Sequence, residues 1–353
     1  MKKILFLIIS ITLMFSCFNV YAQGMSKYGY PEGYKPNKTV NALQNTTQNN
    51  SNSNNSNYEL FPHNINPAIL SVNNMLSVSY SDLGLNYGEY ANNGYSLSLN
   101  GGSPDKYLDT ENGFLNGFKI SLSNTFYHFY NEANFSYYSG NDTYTGSKQG
   151  GVFGSVINTT SSKIYNFNYK LGYMIPITNN FVITPYGELG WHIWKRDNIG
   201  GNSGQNEHYS NWIAMIGILG QYAFTSKLVG DVGFSYGTTF DAQIQANEVD
   251  TTLANYNTLT NTWSYSYADT TWDLGSKSIY NIIAGLNYRF YSHFNIFGNV
   301  KYERFKYGQS SIYTYITNKY QDGIYTGYQL SENWEPNSVT NEIIYSIGLG
   351  YSF

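Results

Sequence analysis

Residues Asn341-Glu342-Ile343-Ile344-Tyr345-Ser346-Ile347-Gly348-Leu349-Gly350-Tyr351-Ser352-Phe353 read as one β-strand. Successive side chains of a strand point to opposite faces. Ile343, Tyr345, Ile347, Leu349, Tyr351 and Phe353 therefore share one face, and Ser346, Gly348, Gly350 and Ser352 the other. A strand that is apolar outward, small and polar inward, and aromatic at its last residue fits a barrel whose outer wall meets lipid. A soluble sandwich accepts the same alternation, so the rest of the chain has to decide.

Upstream, period-two alternation recurs from Met75 onward and gives ten strands in all. The fourth has the clearest pattern, with Tyr165, Phe167, Tyr169, Leu171 and Tyr173 set against Asn166, Asn168, Lys170 and Gly172. In the first, Leu76, Val78 and Tyr80 are followed by Leu83, Leu85 and Tyr87 in the opposite phase, which predicts a bulge near Ser81 and Asp82. Short connections fall at Asn124 to Tyr127, Pro176 to Asn180, Thr225 to Lys227 and Tyr291 to His293. Long ones fall at about 91–113, 145–162, 197–210, 242–276 and 310–339. In outer-membrane barrels the short turns are periplasmic and the long loops extracellular, and an even strand count leaves both termini on the periplasmic side.

At the other end, Lys2 and Lys3 precede an apolar run from Ile4 to Cys17, and Val20-Tyr21-Ala22 completes a secretory signal pattern. Cys17 is the only cysteine, so cleavage after Ala22 leaves no disulfide and no cysteine-based metal site. Residues 23–70 are expected to be a disordered Asn/Ser-rich periplasmic segment, since Gln44 to Asn57 has no apolar face to bury. The domain plan is thus a signal peptide over 1–22, that segment over 23–70 and the barrel over 71–353.

Composition removes several function classes. Charged residues are only 12% of the chain and aromatic residues 18%, with 37 Tyr. No apolar stretch of about 18 residues follows the signal, which excludes helical spanning. Without Lys2 and Lys3 the basic residues fall from 19 to 17 against 23 acids, a net charge of -6 that gives nucleic acid no footing.

Inward-facing positions include Lys119, Glu132, Lys170, Glu188, Asp231, Arg289, Lys301 and Glu303, four bases and four acids. Unpaired buried charge is costly, so these are expected to pair into a network that plugs a narrow lumen. The five histidines are scattered, and Glu207-His208 is the one adjacent acid–His pair; a metal needs more ligands than that. Gly101-Gly102, Gly150-Gly151 and Gly200-Gly201 read as turns rather than phosphate cradles. No catalytic residue, metal or cofactor is expected. Tyr256, Trp263, Tyr265, Tyr267 and Trp272, set among Thr and Asn in the 242–276 loop, are the candidate ligand-binding residues, because rigid aromatics give contact area at low entropic cost.

The closing strand resembles that of bacterial outer-membrane β-barrels, which implies for Tyr351 and Phe353 the role of an assembly signal. The strand count, long loops and Tyr/Asn-rich character over about 75–353 resemble the superfamily of omptin surface proteases and Opc-type adhesins. Thr184 to Trp191 resembles opacity-type barrels, usually of eight strands. The expected fold is all-β, a transmembrane antiparallel up-and-down barrel of ten strands, with eight as the alternative. An omptin protease uses an acidic pair and an Asp–His pair at the barrel mouth, but this chain contains no Asp-x-Asp and no Asp-x-His. The catalytic residues of that family therefore have no counterparts here. The function expected is surface interaction, adhesion or a structural role in the outer membrane; the alternative is a narrow channel or a barrel handling solutes or lipid, with an omptin-like protease ranked last. Expected partners are outer-membrane lipid, the barrel assembly machinery and an extracellular ligand, and the barrel is expected to be a monomer.

Overall fold

The computed structural model describes residues 65–90, 107–146, 153–199, 205–257, 262–321 and 324–353. The signal peptide, residues 23–64, His63 and the three Gly-Gly fragments lie outside the described residues. A short helix, α1 (Pro67–Asn73), precedes β1 (Met75–Tyr90), β2 (Tyr107–Phe126), β3 (Phe129–Gly146), β4 (Val156–Tyr173), β5 (Ile175–Thr178) and β6 (Phe181–Ile199). Then come β7 (Gln205–Ala223), β8 (Leu228–Asn257), β9 (Thr262–Leu274), β10 (Ser278–Tyr291) and β11 (Phe294–Tyr307). The series ends with β12 (Tyr313–Gln321), β13 (Ile324–Asn333) and β14 (Asn337–Ser352).

Ten staves close a ring. Each pairs antiparallel with the next, β10 pairs β8, and β14 pairs β1 to seal the seam from Met75–Ser352 to Tyr90–Asn337. The fourth stave is β4 continued by β5, with Met174 between them. The ten-strand expectation holds, and both ends of the barrel segment emerge together at the short-turn end. The register also sets the shape. Starting at Met75 and passing through Ser123, Glu132, Lys170, Glu188, Met215, Gly237, Ile279, Phe305 and Thr340, the row of paired residues returns to β1 at Tyr87, 12 residues further on. A shear of that size over ten strands demands a tilt of about 40° and a backbone radius of about 10 Å, so each residue climbs about 2.5 Å along the axis.

Outward residues follow the expected alternation only over the lower part of the staves. On β14 and the Phe353 that follows it, Ile343, Tyr345, Ile347, Leu349, Tyr351 and Phe353 are 40–60% exposed, whereas Ser346 and Ser352 are buried. That run covers about 25 Å of height, the apolar band of an outer-membrane barrel. At the short-turn end it is edged by exposed Phe126, Phe129, Phe224, Phe290 and Phe294, and higher up by Tyr80, Phe118, Phe135, Tyr236 and Tyr345.

Above the band the pattern inverts. Leu83, Leu85 and Tyr87 are buried, while Asn86 between them is exposed. The register of β1 with both neighbours runs unbroken through Ser81, Asp82 and Leu83, so the expected bulge is absent; the β1–β2 irregularity sits at Glu89/Tyr90. The phase change has a different cause. Once a stave leaves lipid its outer face meets water, so polar residues turn outward and the interior is filled with apolar side chains instead. For the same reason the strands continue into much of what the sequence assigns to loops: β2 begins at Tyr107 and β8 runs 30 residues to Asn257. Buried there are Leu115, Ile164, Trp194, Ile213, Ile244, Ile279 and Phe305 with the β1 residues. Each such side chain contributes about 1.5–3 kcal/mol, which holds the staves together where no bilayer surrounds them.

Candidate functional site

The interior is filled in three storeys. At the short-turn end α1 lies across the bore. Asn66 caps it by accepting from the Ala68 N–H at 2.8 Å, and Pro67 supplies the first helical residue. Ala68 and Ile69 pack with Tyr130, Met174, Val182, Ala223 and Val229. Asn73 and Gln221 exchange two amide hydrogen bonds, 2.8 and 2.9 Å, while the Thr125 N–H donates to the Asn74 side chain at 2.8 Å. Ser71 donates to Ser352 on the closing strand at 2.8 Å. The segment expected to be disordered to residue 70 is thus folded from Ile65 on, because its last apolar residues have a bore to fill.

The middle storey holds most of the predicted charge network. Lys170 and Glu132 pair at 3.0 Å, and Glu132 also accepts from Asn134 at 2.5 Å and from the Tyr130 hydroxyl. Lys301 pairs with Glu303 at 2.7 Å, and Glu188 accepts from Asn168 at 2.9 Å. Asp231 lies over Gly285, where an added Cβ would come within 2.8 Å of its carboxylate. Lys119 sits on the inward face of β2, on which Glu111, Leu115 and Ser123 are buried. Arg289 is the correction: it donates to the Ser226 carbonyl at 2.7 Å and so closes the turn before β8 rather than joining the network. Glu342, fully buried and register-paired with Glu303, belongs to this storey and is absent from the predicted set.

The top storey centres on Arg196, a residue outside the predicted network. Arg196 is 1% exposed; it donates to Glu207 at 2.6 Å and to Glu111 at 2.7 and 3.2 Å, with Glu89 at 3.6 Å. Its guanidinium also lies 4.5 Å from the Tyr87 ring centre, 5.1 Å from Trp194 and 5.7 Å from Tyr209. Tyr209 donates to Glu335 at 2.9 Å, and Glu335 is tied at its backbone to Ser310, so the base of the β12–β13 hairpin rests on this cluster. Burial pushes the Glu335 carboxyl well above the ordinary carboxylate range, with Glu89 and Glu207 adding to the shift. The signal for these residues was strand parity. If Glu188 faces inward, so do His192, Trp194 and Arg196; if Trp212 and Ala214 face outward, Tyr209 and Glu207 face inward.

The same parity separates Glu207 from His208. Glu207 is inside, while His208 is outside and 3.9 Å from Asp197. Among the described residues no group of three or more His, Cys, Asp or Glu is placed to hold a metal ion. Of the predicted loop aromatics, Tyr256 lies on β8 opposite Trp263 on β9, and Tyr267 opposite Val249. Their side chains, and that of Tyr265, lie outside the described residues. Trp272 is a correction. It is 3% exposed and packs in the interior beside Ile244 and Leu274, because its position on β9 faces the bore.

No protein-family model matches the chain, and no curated protein matches it. Among solved structures it is similar to the outer-membrane protease OmpT of Escherichia coli, at 10% identity and a TM-score of 0.47, over 80% of this chain and 97% of that one. Neisserial surface protein A aligns at 9% identity and 0.28, over 79% and 97%. The toluene transporter TodX of Pseudomonas putida aligns at 11% identity and 0.29, over 82% and 92%. The closed antiparallel barrel rests on its own strand register, and similarities this low carry nothing about activity.

Proposed function

We propose that this chain is an outer-membrane barrel whose short turns face the periplasm and whose long-loop end carries its activity, an interaction with a ligand or surface outside the cell. The observation that supports this most is the filled interior: helix, ion pairs and an aromatic–arginine core occupy successive heights of a bore about 10 Å in backbone radius. A bore so occupied favours neither conduction nor a substrate pocket within it. Among the described residues, what extends beyond the staves to meet a partner is the β8–β9 ribbon, which carries Tyr256, Trp263, Tyr265 and Tyr267, together with the β12–β13 hairpin. The adjacent acid and histidine Glu207 and His208 on β7 lie on opposite faces and so do not form an acid–base pair with each other.

An epitope inserted near Thr258 is expected to be reached by antibody on intact cells, and one near Asn50 only after permeabilisation. Reversed labelling refutes the orientation. Deleting 247–270 is expected to abolish adhesion to a cell or matrix surface while the barrel remains heat-modifiable. Unchanged adhesion refutes the binding role, and a large steady conductance of the intact protein in planar bilayers refutes the closed bore.

A further inference from the structure

The outer wall of β4, β6, β7 and β8 carries three features in vertical order. Within the apolar band it is recessed into a groove of about 710 Å³, lined by Leu171, Pro185, Gly187, Ile216, Ile218 and Phe234. The recess opens at Gly187, where an added Cβ would meet nothing within 4 Å. Directly above runs a row of rings, Phe167 paired with Trp191, Trp191 stacked on Trp212 at 6.1 Å, and Trp212 on Phe240 at 6.4 Å. Aromatic rows of this kind mark the level of lipid headgroups.

Four residues further up the same strands, about 10 Å higher, comes a basic row: Lys163 pairs in register with Lys195, and Lys195 with His208. All three stand on the outward face, whose inward neighbours Ile164, Trp194 and Tyr209 are buried. Lys195 and His208 also line a shallow recess of about 240 Å³ with Ser210, Gln243 and Thr271. Acidic groups at or beside this level, among the described residues, are Asp197, 3.9 Å from His208, Asp273, which accepts from Gln243 at 3.2 Å, and Asp241, exposed on β8 just above Phe240.

An apolar groove, an interfacial aromatic row and a cationic row, stacked in that order on four adjacent staves, match one kind of molecule. We infer that this face holds an anionic membrane lipid, with an acyl chain in the groove beside Gly187 and a phosphate-bearing headgroup against Lys163 and Lys195. A second barrel fits less well, because above the aromatic row the outward face is led by Lys163, Lys195 and His208, with Tyr165, Ile193 and Ile157 only scattered among them, whereas an amphiphile changes from apolar to charged over this distance. Lipid phosphate near Lys is a point-charge contact, screened by salt.

The full chain, purified in a non-ionic detergent, would be titrated with dimyristoyl phosphatidylglycerol or dimyristoyl phosphatidylcholine, counting bound lipid by native mass spectrometry and following tryptophan fluorescence. Two surface-strength charge contacts predict about tenfold tighter binding of the anionic lipid at low salt. Lys163→Gln with Lys195→Gln is expected to bring the ratio close to one, while Lys306→Gln, a cation on the distant stave β11, leaves it intact. Gly187→Phe, which fills the recess, is expected to weaken both lipids alike. Heat-modifiable migration verifies that each variant is folded. Equal affinity of the wild type for the two lipids, a preference that survives the double substitution, or a groove substitution without effect overturns the inference. So does a concentration-dependent dimer that lipid fails to dissociate, which would give the face to a second copy.

Discussion

Replacing Arg196 by Met tests the top storey most directly. The side chain is 1% exposed and holds three carboxylates, Glu111 and Glu207 within 2.7 Å and Glu89 at 3.6 Å. Met conserves much of the stem's volume, so the loss is chiefly electrostatic. Removing one partner from a buried ion pair costs about 3–5 kcal/mol, because the remaining charge is left uncompensated. Contact with the Tyr87 ring at 4.5 Å adds up to about 2 kcal/mol. Protonation of the orphaned acids limits the total, which places the expected loss near 4 kcal/mol at neutral pH. The cluster lies above the lipid-facing band, so the damage should be local. Protease is expected to cut the long-loop end of the variant in proteoliposomes while the band, followed by heat-modifiable migration, persists. Acidification should restore resistance by neutralising the carboxylates, and Glu111→Gln added to Arg196→Met should recover part of the loss. Unaltered protease resistance at pH 7, or a loss that deepens on acidification, refutes the account.

In the plug, Asn73→Leu leaves the Gln221 amide buried and unpaired, at a cost of about 1–3 kcal/mol in urea unfolding; Asn73→Leu with Gln221→Leu should regain most of it, and equal losses in both variants would count against the amide pair. Glu335 binds its proton more tightly folded than unfolded, so the stability it contributes is full below its ordinary value of 4.5 and falls as pH rises through the folded value. Protease resistance of the 310–339 segment should therefore decline with rising pH in the wild type and much less in Glu335→Gln; identical profiles would refute this. Deleting Phe353 is expected to leave export intact and to lower the amount of heat-modifiable barrel in the outer membrane, and a normal amount would refute its role in assembly.

The lipid-facing part of the barrel was legible because the bilayer imposes one rule on every stave: apolar side chains out, small or polar ones in. Tyr345 to Phe353 and Tyr165 to Tyr173 obey it on both faces, whereas Trp212 to Tyr222 obeys it only outward, since Ile213, Met215 and Leu219 turn inward; from the outward pattern came the strand count and the turns. The rule stops where lipid stops. Leu83, Leu85 and Tyr87 look like a bulge when one face is assumed to be apolar throughout, yet they mark the height at which the apolar side changes. A strand read by its outward apolar residues therefore ends too early, which is why Glu111 and Glu207 fall among the expected loops and Arg196 at the edge of one.

Parity would have turned those residues inward, but not toward one another. Arg196 stands on the fifth stave and Glu111 on the second, and their contact crosses the bore. What sets them at the same level is the closure shift of 12 residues, since each row of the register climbs about 3 Å from one stave to the next at this tilt. Period-two alternation contains no trace of that shift, because any even number preserves the inward and outward faces. Lys170 and Glu132 were easier to pair, since they are direct neighbours on β4 and β3. The contacts that sequence reasoning recovers are those made along a rung of the sheet. Those made across the bore, including the Arg196 cluster on which the β12–β13 hairpin rests, depend on shear, and shear is a property of the closed ring rather than of any strand in it.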